Sequence, residues 1–353
     1  MSMKIVAGIG CVDDYFDYVE AGADELFCGY VPAEYMQKFG RQYPANRREV
    51  LYYNVQIGSE SELLILRRMI EKAKVPVSIA FNGLFYEEEQ REFIAETVKQ
   101  CMALGYKDFI VAEPKLLAKL DALDGIRLTV SGELGEMNEG VIRHVAGKNV
   151  RRLIFPRQTG IEEMSSLNDV EKRLGLNLEH EAFALNEKCH FTGAYCCSLH
   201  CDELCHICKL PYRLTDKTDE NIAVEGDDCA DDSERFEVDE CTGGKVCAGK
   251  DINTDEVISD ELVDCENEYV LGETGCAVCL LWKMRAAGVT HLKIVSRGNN
   301  SEATINDIKC MRIALDILGD SKSEDEYVKH IFSELFPNGC KKNCYTQRYS
   351  NPI

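Results

Sequence analysis

Lys4-Ile5-Val6-Ala7-Gly8-Ile9 and, one helix-length on, Glu25-Leu26-Phe27-Cys28-Gly29-Tyr30 decide how this chain is read. Each is a short, mostly apolar run, the pattern of a strand covered on both faces. Similar runs begin at Val50, Pro76, Asp108, Arg127, Arg152 and Asn177. They recur about every 25 residues, the length of a strand, a helix and two short loops. The pattern predicts a parallel sheet closed into a (β/α)8, TIM-like barrel. A further unit comes late in the chain. His291-Leu292-Lys293-Ile294-Val295 reads as a strand, and Ile308, Met311, Leu315 and Leu318 share one face of the helix after it. Nine candidate strands exceed an eightfold barrel, so one of them must lie outside it.

The intervening helices carry their own signals. Ser59-Glu60-Ser61-Glu62 has the form of a capping box, with Leu63, Leu66 and Ile70 on one face behind it. Glu87, Glu88 and Glu89 suit a helix N-terminus, and Gly105 suits the end of that helix. Ile94, Val98 and Cys101 share a side of it, which marks Cys101 as a core residue. Polar residues gather where the strands end: Asn54, Gln56, Asn82, Glu113, Ser131, Glu133, Arg157, Gln158, Asn186 and Glu187. In a barrel these positions point to the catalytic face, although loops open on polar residues in any case.

The chain has 353 residues, 61 acidic and 40 basic side chains, a formal net charge of −21 and 18 cysteines. A hydrophobic content of 45% excludes wholesale disorder. The charge disfavours nucleic acid and anionic membranes as partners, because both are bound through basic surface. No apolar run approaches the roughly 20 residues that span a bilayer. Met1-Ser2-Met3-Lys4 lacks an apolar signal core, so a cytoplasmic location is expected. Neither charge nor cysteine is spread evenly. Residues 216–273 hold 21 acids and four bases, and 12 of the 18 cysteines fall between Cys189 and Cys279. The expected organisation is a barrel over 1–186, a cysteine-rich acidic insertion over 187–280, a closing βα unit with further helices over 281–336, and a tail over 337–353.

Reducing cytosol disfavours stable disulfides, so the clustered cysteines point to metal or redox chemistry. Six lie within 20 residues, from Cys189 through Cys196, Cys197, Cys201 and Cys205 to Cys208, with His190, His200 and His206 between them. Cys205-His206-Ile207-Cys208 and Cys276-Ala277-Val278-Cys279 are C-x-x-C pairs, which as two pairs read as a zinc site. Their number exceeds one tetrahedral site, and a 4Fe–4S cluster with four thiolates from scattered loops accounts for it better. A second metal centre would use the surplus. Gly243-Gly244-Lys245-Val246-Cys247 is a turn able to present Cys247 to a metal, and Cys340 and Cys344 in the tail either fold back as ligands or belong to a loose end.

Four stretches together resemble the U-32 peptidase family, a group named for a collagenase-like activity. They are Lys4–Gly10 with Val19-Glu20-Ala21-Gly22-Ala23-Asp24-Glu25-Leu26-Phe27; Leu153-Ile154-Phe155-Pro156-Arg157 with Ile161-Glu162-Glu163-Met164; Leu178–Phe183 with Cys189, Cys196 and Cys205–Tyr212; and Gly288–Ile294 with Arg297. The resemblance implies a 4Fe–4S cluster and oxygen-independent hydroxylation of aromatic rings or RNA bases, as in several members. It implies Cys189 and Cys196 as ligands, Cys205 or Cys208 as the third, and Cys247 or Cys276 as the fourth. The family's "KIEGR" is Lys293-Ile294-Val295-Ser296-Arg297 here, without the glutamate and glycine.

These residues suggest an oxidoreductase that modifies a small molecule or peptide at the barrel's C-terminal face, beside the cluster. Arg157, Lys293 and Arg297 would hold a carboxylate, and Glu133 or Glu181 would move protons if burial raised its pKa. A peptidase is the second reading, with a Cys–His nucleophile drawing on His190, His200 or His206 and no H-E-x-x-H or G-x-S-x-G signature. The third is an iron–sulfur or zinc protein without its own catalysis, whose acidic insertion docks a basic protein or electron donor.

Overall fold

The computed structural model describes residues 3–40, 44–47, 55–134, 138–189 and 269–345. Its strands are β1 (Lys4–Gly8), β2 (Glu25–Gly29), β3 (Val77–Phe81), β4 (Asp108–Val111), β5 (Arg127–Val130), β6 (Val150–Ile154), β7 (Glu179–Leu185) and β8 (His291–Ile294). All pair in parallel, in chain order, and β8 returns to β1 with Lys4 opposite His291 and Ala7 opposite Ile294. The result is a closed (β/α)8 barrel. Nearly every strand residue is buried, as the apolar runs require when the helices cover the sheet from outside.

The run from Val50 is the strand that falls outside. β2 pairs directly with β3, from Leu26 opposite Val77 to Gly29 opposite Ala80, which leaves it no place in the sheet. Residues 50–54 lie outside the described residues. Val55 and Ile57 are buried, and Ile57 makes a single parallel bridge to Tyr30, just past β2. Their apolar character therefore reflects packing over a strand end.

The helix signals are realised with one change. The Ser59 hydroxyl accepts from the Glu62 N–H at 3.3 Å, but the Glu62 carboxylate reaches one residue further back, to the Gly58 N–H at 3.1 Å. In the helix Glu88–Ala103, Ile94, Val98 and Cys101 are buried, and Gly105 ends the turn at φ 96°. The helix Ser301–Asp320 buries Ile308, Met311, Leu315 and Leu318 as expected.

β8 is joined to β1 at its C-terminal end by Ser296. Its hydroxyl donates to the Gly8 carbonyl and accepts from the Gly8 N–H, both at 2.8 Å. The departure from the family pattern at this position thus places a hydroxyl on the seam that closes the barrel.

The described chain resumes at Tyr269. Leu271, Ala277, Val278 and Leu280 are buried in the same core as the barrel strands. Residues 274–278 lie against the end of β7, with Ala277 N–H donating to the Ala184 carbonyl at 2.9 Å. The tail folds back on this segment: Cys276 N–H donates to the Asn343 carbonyl at 3.0 Å and Tyr345 N–H to the Cys276 carbonyl at 3.2 Å. Among the described residues no helix is long and apolar enough to cross a membrane.

The N-terminal end of the barrel is filled by charge. The Arg152 guanidinium, on β6, reaches Glu25 on β2 at 2.7 Å and Glu179 and Glu181 on β7, each at 2.9 Å. The His291 ring lies 2.8 Å from the same guanidinium. Arg152 is 2% exposed, so only this set of partners makes its burial tolerable.

Candidate functional site at the C-terminal face

The opposite end of the barrel opens into a cavity. Four cations line it, Arg47, Arg157, Lys293 and Arg297, against the two carboxylates of Glu133 and Glu187. Each comes from a different place. Arg47 follows β2, Glu133 follows β5, Arg157 follows β6, Glu187 follows β7, and Lys293 and Arg297 belong to β8 and the turn after it. The parallel topology sends all these segments to one face.

Glu133 is held between two guanidinium groups, Arg157 Nη1 at 3.1 Å from Oε1 and Arg47 Nε at 3.3 Å from Oε2. Arg157 also reaches Glu187 at 3.6 Å and lies over the Phe183 ring, its Cζ 4.1 Å from the ring centroid. Burial alone would lower the pKa of Arg157, but Glu133 and Glu187 outweigh it and keep the group charged. Glu187 and Asn186 both adopt left-handed backbone conformations, at φ 52° and 72°, where side chains are strained. Asn186 is fixed there by donating to the Val295 carbonyl at 3.1 Å and to the Asp307 carboxylate at 2.7 Å.

Lys293 extends the charged column of the barrel upward. Its Nζ donates to Glu181 at 2.8 Å and lies 3.6 Å from the Phe27 ring centroid, with the Arg297 guanidinium 5.8 Å from that same centroid. Burial lowers the Lys293 pKa, and the nearby Arg297 and Arg152 push the same way against Glu181. Glu181 behaves oppositely to the condition set for proton transfer. Burial pushes its pKa up, but Lys293 and Arg152 outweigh that and hold it below the ordinary carboxylate value. It is a fixed negative charge between two cations.

The structure therefore brings Arg157, Glu133, Lys293 and Arg297 into one cavity and sets Glu181 beneath them. Of the other strand-end residues, Asn82 and Ser131 line it, and Asn82 Oδ1 fixes Arg47 by accepting from its backbone N–H at 3.1 Å. Glu113 does not. It caps the helix Pro114–Leu120 through the Leu116 N–H and pairs with Arg91 at 3.0 Å, because it belongs to the outer helical layer. Arg47 and the two aromatic walls, Phe27 and Phe183, were not singled out by the sequence. The pair Arg47-Arg48 in a loop after a strand was the available signal for the first.

Cys189 follows β7, half-buried, and its carbonyl accepts from Gln158 at 2.8 Å. Its thiol is close enough to bear on Arg157 electrostatically. Of the expected cluster ligands it is the described one near Arg157. Cys196, Cys205, Cys208 and Cys247 lie outside the described residues. Cys276 lines a separate, smaller cavity with Cys279, Cys340 and Cys344. Among the described residues, no three or more His, Cys, Asp or Glu side chains are already gathered in metal-holding geometry.

The model of peptidase family U32 matches residues 12–351. The chain belongs to that family. Among solved structures, the U32 peptidase Mk0906 is similar at 14% identity and a TM-score of 0.39, over 52% of this U32 chain and 70% of that one. KGPDC from Streptococcus mutans is similar at 8% identity and a TM-score of 0.40, over 90% and 99%. A putative phosphonomutase from Burkholderia cenocepacia J2315 gives 13% and 0.35, over 54% and 82%. No curated protein matches the U32 chain.

Proposed function

We propose that this U32 protein is an iron–sulfur-dependent oxidoreductase of the cytoplasm that hydroxylates, without oxygen, or similarly modifies a carboxylate-bearing small molecule or peptide. The observation that carries the reading is the cavity itself: four cations against two carboxylates, walled by Phe27 and Phe183, with Cys189 near Arg157. A guanidinium fork matches a carboxylate in two hydrogen bonds, which Arg157 and Arg297 would supply. The aromatic walls would cover the apolar part of the ligand and exclude water. Lys293, with its lowered pKa, is the group suited to hand a proton to the bound substrate from Nζ. Glu181 remains ionised, and it and Glu133 orient the cations they pair with.

A 4Fe–4S cluster on Cys189, Cys196, Cys208 and Cys247, with Cys205 as the substitute for Cys208, would supply one-electron chemistry beside this cavity. The acidic stretch 216–273 would dock a basic electron-donor protein by charge steering. The family match favours a second reading, peptide hydrolysis. Among the described residues no histidine lines the cavity, so that chemistry would fall to His190, His200 or His206, outside them.

Anaerobic purification followed by iron and sulfide analysis tests the proposal. The expected result is a brown protein with about four irons per chain, whose colour is lost in Cys189→Ser. Colourless protein without iron, or cleavage of gelatin by the iron-free chain, would overturn it.

A further inference from the structure

The second cavity has no part in the chemistry just described. It shares no lining residue with the first and is bounded by four thiols, those of Cys276, Cys279, Cys340 and Cys344. In sequence these are a C-x-x-C pair and a C-x-x-x-C pair 60 residues apart. The fold joins them directly. Cys276 and Cys344 are partners in a parallel bridge, tied by the two backbone hydrogen bonds on either side of Cys276. Bridge partners stand about 4.8 Å apart. Cys279 lies in the short helix Val278–Leu280, three residues beyond Cys276, and Cys340 stands four residues before Cys344.

We infer that Cys276, Cys279, Cys340 and Cys344 form a structural zinc site that fastens the C-terminal tail to the end of β7. Zinc bound by four thiolates at about 2.3 Å in a tetrahedron sets the sulfurs about 3.8 Å apart. Side chains of directly bridged residues reach that spacing, whereas a four-iron cube holds its ligating sulfurs further apart. The backbone is already paired at Cys276 and Cys344, and the four thiols, which are not gathered in metal-holding geometry, would close on the ion by side-chain rotation.

Three local features prepare the site. The Val278 N–H points at Cys276 Sγ from 3.5 Å. Gly272, at φ 71°, leaves room that a Cβ would take: the added atom would stand 2.7 Å from Cys276 Cβ and 2.9 Å from its Sγ. Lys341 and Lys342 line the cavity and offset the net negative charge of a tetrathiolate zinc.

The site has a consequence for the first cavity. Tyr345, next to Cys344, donates its hydroxyl to the Asn186 carbonyl and sets its ring 6.4 Å from that of Phe183, the wall beneath Arg157. Zinc would hold the tail, and through Tyr345 the end of β7, in place.

The test is metal analysis with site-resolved thiol labelling of the full chain, purified anaerobically. About one zinc per chain is expected. Alkylation followed by peptide mapping should find all four cysteines protected, and a zinc chelator should expose them together as that zinc leaves. Cys340→Ser/Cys344→Ser should lose this zinc while any iron stays constant. Protection that the chelator does not change would reflect burial alone and overturns the inference. So does a Cys276–Cys344 disulfide, or loss of iron in place of zinc from the variant. The chelation arm uses the unmodified chain, so it decides even if the variant fails to fold. Iron content reports on the oxidoreductase reading separately.

Discussion

The two ends of the barrel use the same kinds of residue for opposite purposes. At the N-terminal end, Arg152 is enclosed by Glu25, Glu179 and Glu181, with His291 against it. At the C-terminal end, four cations face two carboxylates around open space. Glu181 joins the two ends, taking Arg152 on one side at 2.9 Å and Lys293 on the other at 2.8 Å. Buried charge that is fully matched holds a fold together, and a surplus of one sign around a cavity prepares it for a ligand of the other sign.

The strongest way to break this contrast is Arg152→Met. It leaves three carboxylates without their shared cation, and a loss of about 3–5 kcal/mol in unfolding free energy is expected from urea titration. A loss similar to that of Arg157→Ala would mean the two ends are not specialised.

Acid should act on the same end. Glu25 is pushed up by burial, but His291 and Arg152 outweigh this and hold its pKa far below the ordinary 4.5. Glu181 is lowered as well. A carboxylate with a depressed folded pKa stabilises fully above the unfolded value and loses that stabilisation as pH falls through it towards the folded one. Tm should therefore be flat near neutrality and fall from about pH 4.5 downward, and Glu25→Gln should make the fall shallower.

At the other end, Arg157→Ala should weaken carboxylate binding about 10- to 100-fold by calorimetry, the range for one charge-assisted hydrogen-bonding group. Stability should change less than in Arg152→Met. The smallest effect is expected from Phe27→Leu, which removes the ring beneath Lys293 and Arg297. A loss of about 0.5–2 kcal/mol in binding, with the fold intact by circular dichroism, would sharpen the assignment of Phe27 to the cavity wall.

Much of this was legible in the sequence for a local reason. Short apolar runs at regular spacing specify strands covered on both faces, and seven of the runs before the insertion, with the one at His291, became the eight strands. The run at Val50 looked the same, but β2 pairs directly with β3 and leaves it no place in the sheet. Arg157, Glu133, Lys293 and Arg297 were found because strand ends in a parallel barrel must meet on one face. Arg47 escaped because no periodicity positions a loop residue. Glu181 was found, but what holds its pKa down was not legible, because its two cationic neighbours lie 29 residues before it and 112 after it.

The sequence by itself determined the barrel, the face on which its strand-end charges meet and the family, since each depends on local pattern or ordered motifs. Only the tertiary structure decided which charges neutralise one another and that Cys276 and Cys279 meet Cys340 and Cys344. Those pairings join residues distant in the chain through the register of strands and the fold-back of the tail, and no local propensity encodes them.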